Sequence, residues 1–82
     1  MIIIKTMKRD MIASCVAFYM EEAKDDQDQT IIFGMIATTL VPIEIGRYKK
    51  ETAERVIELI FRTFGVNSLF EMPVMESENN EH

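Results

Sequence analysis

The chain has 82 residues, 48% of them hydrophobic and 28% charged, with a net charge of −5. That length holds one small core, and that apolar fraction is ordinary for a globular chain, so two domains and wholesale disorder are both excluded. A single cysteine, Cys15, excludes an internal disulfide framework, and one cysteine with one imidazole at the last position, His82, leaves no zinc ligand set.

The opening Ile2-Ile3-Ile4 is β-branched and predicts a strand, with Met7 to Asp10 as the turn that follows. Met11 to Ala23 is apolar almost without interruption. Met11, Ile12, Cys15, Tyr19 and Glu22 fit a helix, whereas Ile12, Val16, Phe18 and Met20 fit a strand, and periodicity alone does not decide between them. Ala23 to Gln29 is a polar connection. Thr30 to Thr39 reads as an interior strand that is apolar on both faces. Ile31, Phe33, Met35 and Ala37 lie on one face, and Ile32 and Ile36 on the other, with a gap at Gly34. Val41, Ile43 and Ile45 then alternate with Pro42, Glu44 and Gly46, which predicts a half-buried strand. Pro42 marks its beginning or a sheet edge.

The clearest element is a helix over Glu51–Phe64. Ala53, Val56, Ile57, Ile60, Phe61 and Phe64 form one apolar stripe at the helical period, opposite Glu54, Arg55, Glu58 and Arg62. Glu58 and Arg62 are spaced as an i,i+4 pair, Thr52 is the candidate N-cap, and Gly65 suits a left-handed C-cap. Residues 1–75 make the single domain of this reading, and 76–82 a disordered acidic tail.

The acidity is concentrated. Glu21, Glu22, Asp25, Asp26 and Asp28, offset by Lys24, carry −4, and the segment from Glu71 to the end carries another −4, which leaves +3 for the remainder. Two readings of these segments stand: solvated stretches that keep a small domain dispersed, or mimics of nucleic acid phosphates.

Ile43-x-Ile45-Gly46-x-Tyr48, then Ala53-x-x-Val56-Ile57-x-x-Ile60, then Phe70-x-Met72-Pro73, resembles a widespread type of small protein encoded in phages and prophages of Firmicutes. The resemblance covers about two-thirds of the chain and is most specific from Ile43 to Pro73. It implies an α+β fold: an antiparallel meander of four to five strands with one amphipathic helix on one face, and the Phe70–Met72 segment returning beside it. It also tips Met11–Met20 toward strand. The sequence departs from the pattern at the helix start, where no Ser or Thr follows the Tyr. The group supplies no catalytic residues to carry over.

Chemistry is sparse. Gly34, Gly46 and Gly65 are isolated and form no phosphate loop, and a Ser-His-Asp or Cys-His arrangement has only His82 to draw on. Cys15 sits in an apolar run with no basic neighbour, which reads as a buried small hydrophobe. Asp25-Asp26-Gln27-Asp28 lacks the glycine and distal glutamate of a calcium loop. The expectation is therefore no enzyme, no metal and no cofactor. The basic residues Lys5, Lys8 and Arg9, and Arg47, Lys49 and Lys50, form two small groups without interleaved aromatics other than Tyr48, so nucleic acid is not the expected partner. No apolar run approaches the roughly 20 residues of a membrane helix, and the start lacks the charged and apolar regions of a signal peptide. A cytoplasmic protein, inside a host cell on the phage resemblance, is expected.

One helix covers one face of a sheet, yet two strands are apolar on both faces. The remaining apolar surface predicts a homodimer or a higher symmetric oligomer through the uncovered face or an edge strand, with Tyr19, Ile32 and Ile36 as interface candidates. The leading functional expectation is a non-enzymatic interaction protein that binds and inhibits a host protein, such as a component of antiviral defence. An oligomeric sponge for a nucleotide-like signal is the alternative, with Arg9, Arg47, Tyr48, Lys49 and Lys50 as candidate anion or partner contacts. A weak nucleic-acid-binding regulator is the third.

Overall fold

A computed structural model describes residues 1–64 and 69–74. The expected acidic tail at 76–82 and the Gly65 cap lie outside the described residues. The fold is α+β, a five-stranded mixed sheet with one helix. In chain order the elements are β1 (Ile2–Lys5), β2 (Ile12–Glu22), β3 (Gln29–Ile36), β4 (Pro42–Lys49), α1 (Lys50–Thr63) and β5 (Leu69–Glu71).

The sheet order is β4-β3-β2-β1-β5. The first four strands form an antiparallel meander, while β5 pairs parallel to β1, with Ile3 opposite Leu69 and Lys5 opposite Glu71. The parallel pair exists because α1 carries the chain back over the sheet, as a crossover must when a strand joins in parallel. The long apolar run that periodicity left open is strand β2 throughout, and Pro42 occupies both of the places open to it: it begins β4, and β4 is an edge.

The sheet is curled. The backbone N–H of Met7, two residues past β1, donates to the Ile45 carbonyl on β4 at 2.9 Å, although β2 and β3 separate those strands in the sheet. Helix α1 packs against β3 and β4 on one side and β5 on the other, bridging the two edges of the roll. Two irregularities assist the bend: a register shift between Cys15 and Ala17 on β2, and an extra residue on β4, Ile45, opposite the Ile32–Phe33 step.

The core lies between helix and sheet, with Ile2, Ile4, Cys15, Ile32, Ile45, Tyr48, Ala53, Val56, Ile60 and Met72 buried. Ile32 is therefore a core residue and not part of an uncovered face. On β3, Thr30, Ile32 and Gly34 are buried and Ile31, Phe33 and Met35 are half-buried, so the two faces are reversed from the expectation. The physical reason is Gly34. A Cβ there would stand 2.8 Å from the Cys15 Sγ and 3.3 Å from Phe18, so the close-packed inner face needs a residue without a side chain. A count of apolar side chains assigns the glycine-bearing face to solvent for that very lack. By alternation Ile36 shares the inner face with Ile32, where it is half-buried.

The helix differs from its expected stripe at Phe61 and Phe64, both of which are exposed, Phe64 as the C-cap. Phe61 is 78% exposed, and the buried residues are Ala53, Val56 and Ile60. The N-cap is Lys49, which makes no side-chain cap bond, so Thr52 lies inside the helix and does not cap it. Pairing within β4 runs up to Lys49 and leaves no residue to spare for a cap. The Glu58–Arg62 pair is not among the ion pairs of the described residues. Among the described residues two that are not glycine adopt positive φ, Arg9 at 62° and Leu40 at 57°, each in a turn. Such a conformation costs about 1–3 kcal/mol where the side chain is bulky.

Candidate functional site

The curl divides the sheet into an inner face, filled by the core, and an outer face. The pairing of β2 with β3 places Tyr19 opposite Phe33 on the outer face, flanked by Ala17 opposite Met35 and Glu21 opposite Ile31. The rings of Tyr19 and Phe33 stack, with centroids 5.1 Å apart and an interplanar angle of 18°. Tyr19 remains 37% exposed and Phe33 is half-buried. Of the three interface candidates read from the sequence, only Tyr19 stands on this face. Phe33, Ile31 and Met35 were missed. The signal that finds them is the connection between β2 and β3: the Ala23 N–H donates to the Gln29 carbonyl at 2.9 Å, which fixes Glu22 opposite Thr30 and hence Tyr19 opposite Phe33.

The rim of this face is charged. Arg47 on β4 points its guanidinium at Asp25 in the β2–β3 connection, with Nη1 at 3.1 Å from both carboxylate oxygens. The Glu44 carboxylate lies 3.7 Å from Nε of Arg47, and Gln29 accepts a longer bond at 3.5 Å. The hydrogen bond from Arg47 first, then one from the Asp25 backbone, then the Arg47 charge, hold the Asp25 carboxyl below its usual range. The same hydrogen bond raises the Arg47 guanidinium. Arg47 is thus engaged by two carboxylates.

The five candidate anion contacts do not converge. Tyr48 is in the core, and its hydroxyl donates to the Pro73 carbonyl at 2.8 Å. Burial pushes its phenol up to about 12, with the Arg9 charge pulling weakly the other way. Arg9 pairs with Glu71 at 3.9 Å near the far end of the sheet, while Lys49 and Lys50 are exposed at the β4–α1 junction. A cleft of about 510 Å³ runs beside Met7, Lys8, Asp10, Glu44, Gly46 and Arg47, and its lining mixes both signs of charge. Among the described residues no three His, Cys, Asp or Glu side chains are grouped to hold a metal. Cys15 is buried, and burial pushes its thiol up, which opposes the thiolate a nucleophile needs.

A second concavity of about 400 Å³ lies between β2 and the C-terminal half of α1, lined by Val16, Phe18, Ile57, Phe61 and Phe64 among others. Phe18 and Phe64 meet edge to face at its wall, with centroids 6.3 Å apart. Among the described residues no helix is long and apolar enough to cross a membrane. No protein-family model, no curated protein and no solved structure matches the chain.

Proposed function

We propose that this chain is a non-enzymatic interaction protein that binds a protein partner through the outer face of its sheet. The observation that carries this reading is the stacked Tyr19–Phe33 pair, half-exposed beside Ile31 and Met35 and bordered by Glu21, Glu44 and the Arg47–Asp25 pair. Rigid aromatics with aliphatic neighbours and a polar rim are the usual composition of the centre of a binding surface. Stacking also fixes the two rings before a partner arrives, which lowers the ordering cost of association.

The resemblance to small phage and prophage proteins supports a host protein as the partner, blocked or redirected in the host cytoplasm. The test is affinity capture from host lysate with two baits, the chain itself and Tyr19→Glu. The reading expects one stoichiometric partner with the first bait, lost with the second. Absence of any Tyr19-dependent partner overturns it. The alternative of an oligomeric sponge for a nucleotide-like anion is disfavoured by the dispersal of Arg9, Arg47, Lys49 and Lys50 described above.

A further inference from the structure

The roll closes along a seam between the β1–β2 turn and the edge strand β4, and among the described residues two hydrogen bonds cross it. Both belong to Met7. Its N–H donates to the Ile45 carbonyl at 2.9 Å, and its Sδ accepts the Arg47 N–H at 3.4 Å. Met7 packs against the core and also lines the open cleft of about 510 Å³, so a small solute reaches it from solvent. Among the described residues this is the methionine sulfur that accepts a hydrogen bond. Met1, Met11 and Met20 are exposed, whereas Met72 is fully buried.

The seam thus hangs on a side chain with redox chemistry of its own. A thioether is oxidised reversibly to the sulfoxide, which turns a flexible apolar side chain into a polar, chiral one. With hydrogen peroxide, a sulfur lone pair attacks one peroxide oxygen, the O–O bond breaks, an S–O bond forms and hydroxide leaves. The transferred oxygen gives its proton to that hydroxide, so the products are the sulfoxide and water. Sulfur loses two electrons and the peroxide gains them. The oxidised sulfur is electron-poor, and the accepting role passes to its oxygen. That oxygen does not fit the present geometry, because an N–H···O bond alone spans about 2.9 Å and the whole N···S gap is 3.4 Å. The side chain must withdraw from Arg47, and it is attached to the same residue whose N–H holds Ile45. Arg47 in turn lends its N–H to Met7 and its guanidinium to Asp25, so the seam and the rim of the outer face meet in one residue.

We propose that Met7 is a redox-sensitive latch: oxidation of its thioether to the sulfoxide by a peroxide unfastens the β1–β2 turn from β4, and reduction of the sulfoxide fastens it again.

Treatment of the full chain with hydrogen peroxide, followed by peptide mapping of the sulfoxides and by amide hydrogen exchange, tests this. Met7 should be oxidised in the folded protein, more slowly than Met1 and faster than Met72. Exchange at the Met7 and Arg47 amides should then rise by roughly tenfold or more, with a fall in melting temperature. Methionine sulfoxide reductases for both epimers should restore the protection. Peroxide-treated Met7→Leu carries the other sulfoxides without this one, and its residue 7 amide should stay protected. Met7→Gln, a polar stand-in for the sulfoxide, should expose that amide with no peroxide at all. The proposal is overturned if Met7 is oxidised no faster than Met72, or if its sulfoxide forms while the Met7 amide stays as protected as before. Equal loss of protection in treated Met7→Leu overturns it too, as do full protection in Met7→Gln and protection that the reductases fail to restore.

Discussion

Tyr48 gives its hydroxyl proton to the Pro73 carbonyl at 2.8 Å, and this bond ties the segment after β5 to β4, at the opposite edge of the sheet. Replacing Tyr48 with Phe keeps the ring and strands the carbonyl. The expected cost is about 1 kcal/mol, which for a domain of this size is a fall of roughly 4–8 °C in melting temperature by calorimetry.

The same residue sets an alkaline limit. Its phenol is pushed up to about 12 from an ordinary value of 10.0, so the folded state holds the proton more tightly than the unfolded chain. That contribution is fully present below pH 10.0 and is lost as pH rises toward about 12. Denaturant midpoints measured across this window should fall for the wild type and stay flatter for Tyr48→Phe.

Gly46 lies under the same ring. A Cβ at this position would stand 2.6 Å from the Tyr48 ring and 2.9 Å from the Met72 Cε, both of them buried side chains. Gly46→Ala should therefore destabilise by overpacking, by about 1–3 kcal/mol in chemical denaturation. A variant as stable as wild type would show that the ring and the thioether move aside freely.

Met7 closes the curl with two contacts, its N–H to the Ile45 carbonyl and its sulfur accepting the Arg47 N–H at 3.4 Å. Met7→Leu conserves volume and removes only the acceptor. Overall stability should change by less than about 1.5 kcal/mol, while hydrogen exchange at the Arg47 amide accelerates selectively.

Cys15 is wholly buried and its thiol is pushed up by that burial. A disulfide reagent at neutral pH should label it only on the timescale of unfolding, and quickly once urea has unfolded the chain. Fast labelling of the native protein would mean that β2 opens locally.

The residues differ in how much of this they disclosed beforehand. The helix was legible because Ala53, Val56 and Ile60 repeat at the helical period, and β4 because Pro42 and the alternation at Ile43 and Ile45 agree. The parallel return of β5 was not legible. Three residues carry no usable period, and their partner lies at the other end of the chain. The faces of β3 were reversed because hydrophobicity marks what can be buried, while Gly34 marks where another strand's side chains crowd in. The outer aromatic pair was half legible: Tyr19 stood out alone, but Phe33 joins it only through a register that the Ala23–Gln29 hydrogen bond sets.

The parallel pairing of Ile3, Ile4 and Lys5 with Leu69, Phe70 and Glu71 has a consequence for biosynthesis. A ribosome releases β1 well before its second neighbour, with three strands and a helix made in between. The hairpins from β1 to β4 are sequence-local and can zip while translation proceeds, whereas docking of β5 must wait until β2, β3, β4 and α1 have all been made. Until then one side of β1 is an unpaired strand edge, a sticky intermediate. Any nascent chain arrested before Leu69 is held at that stage.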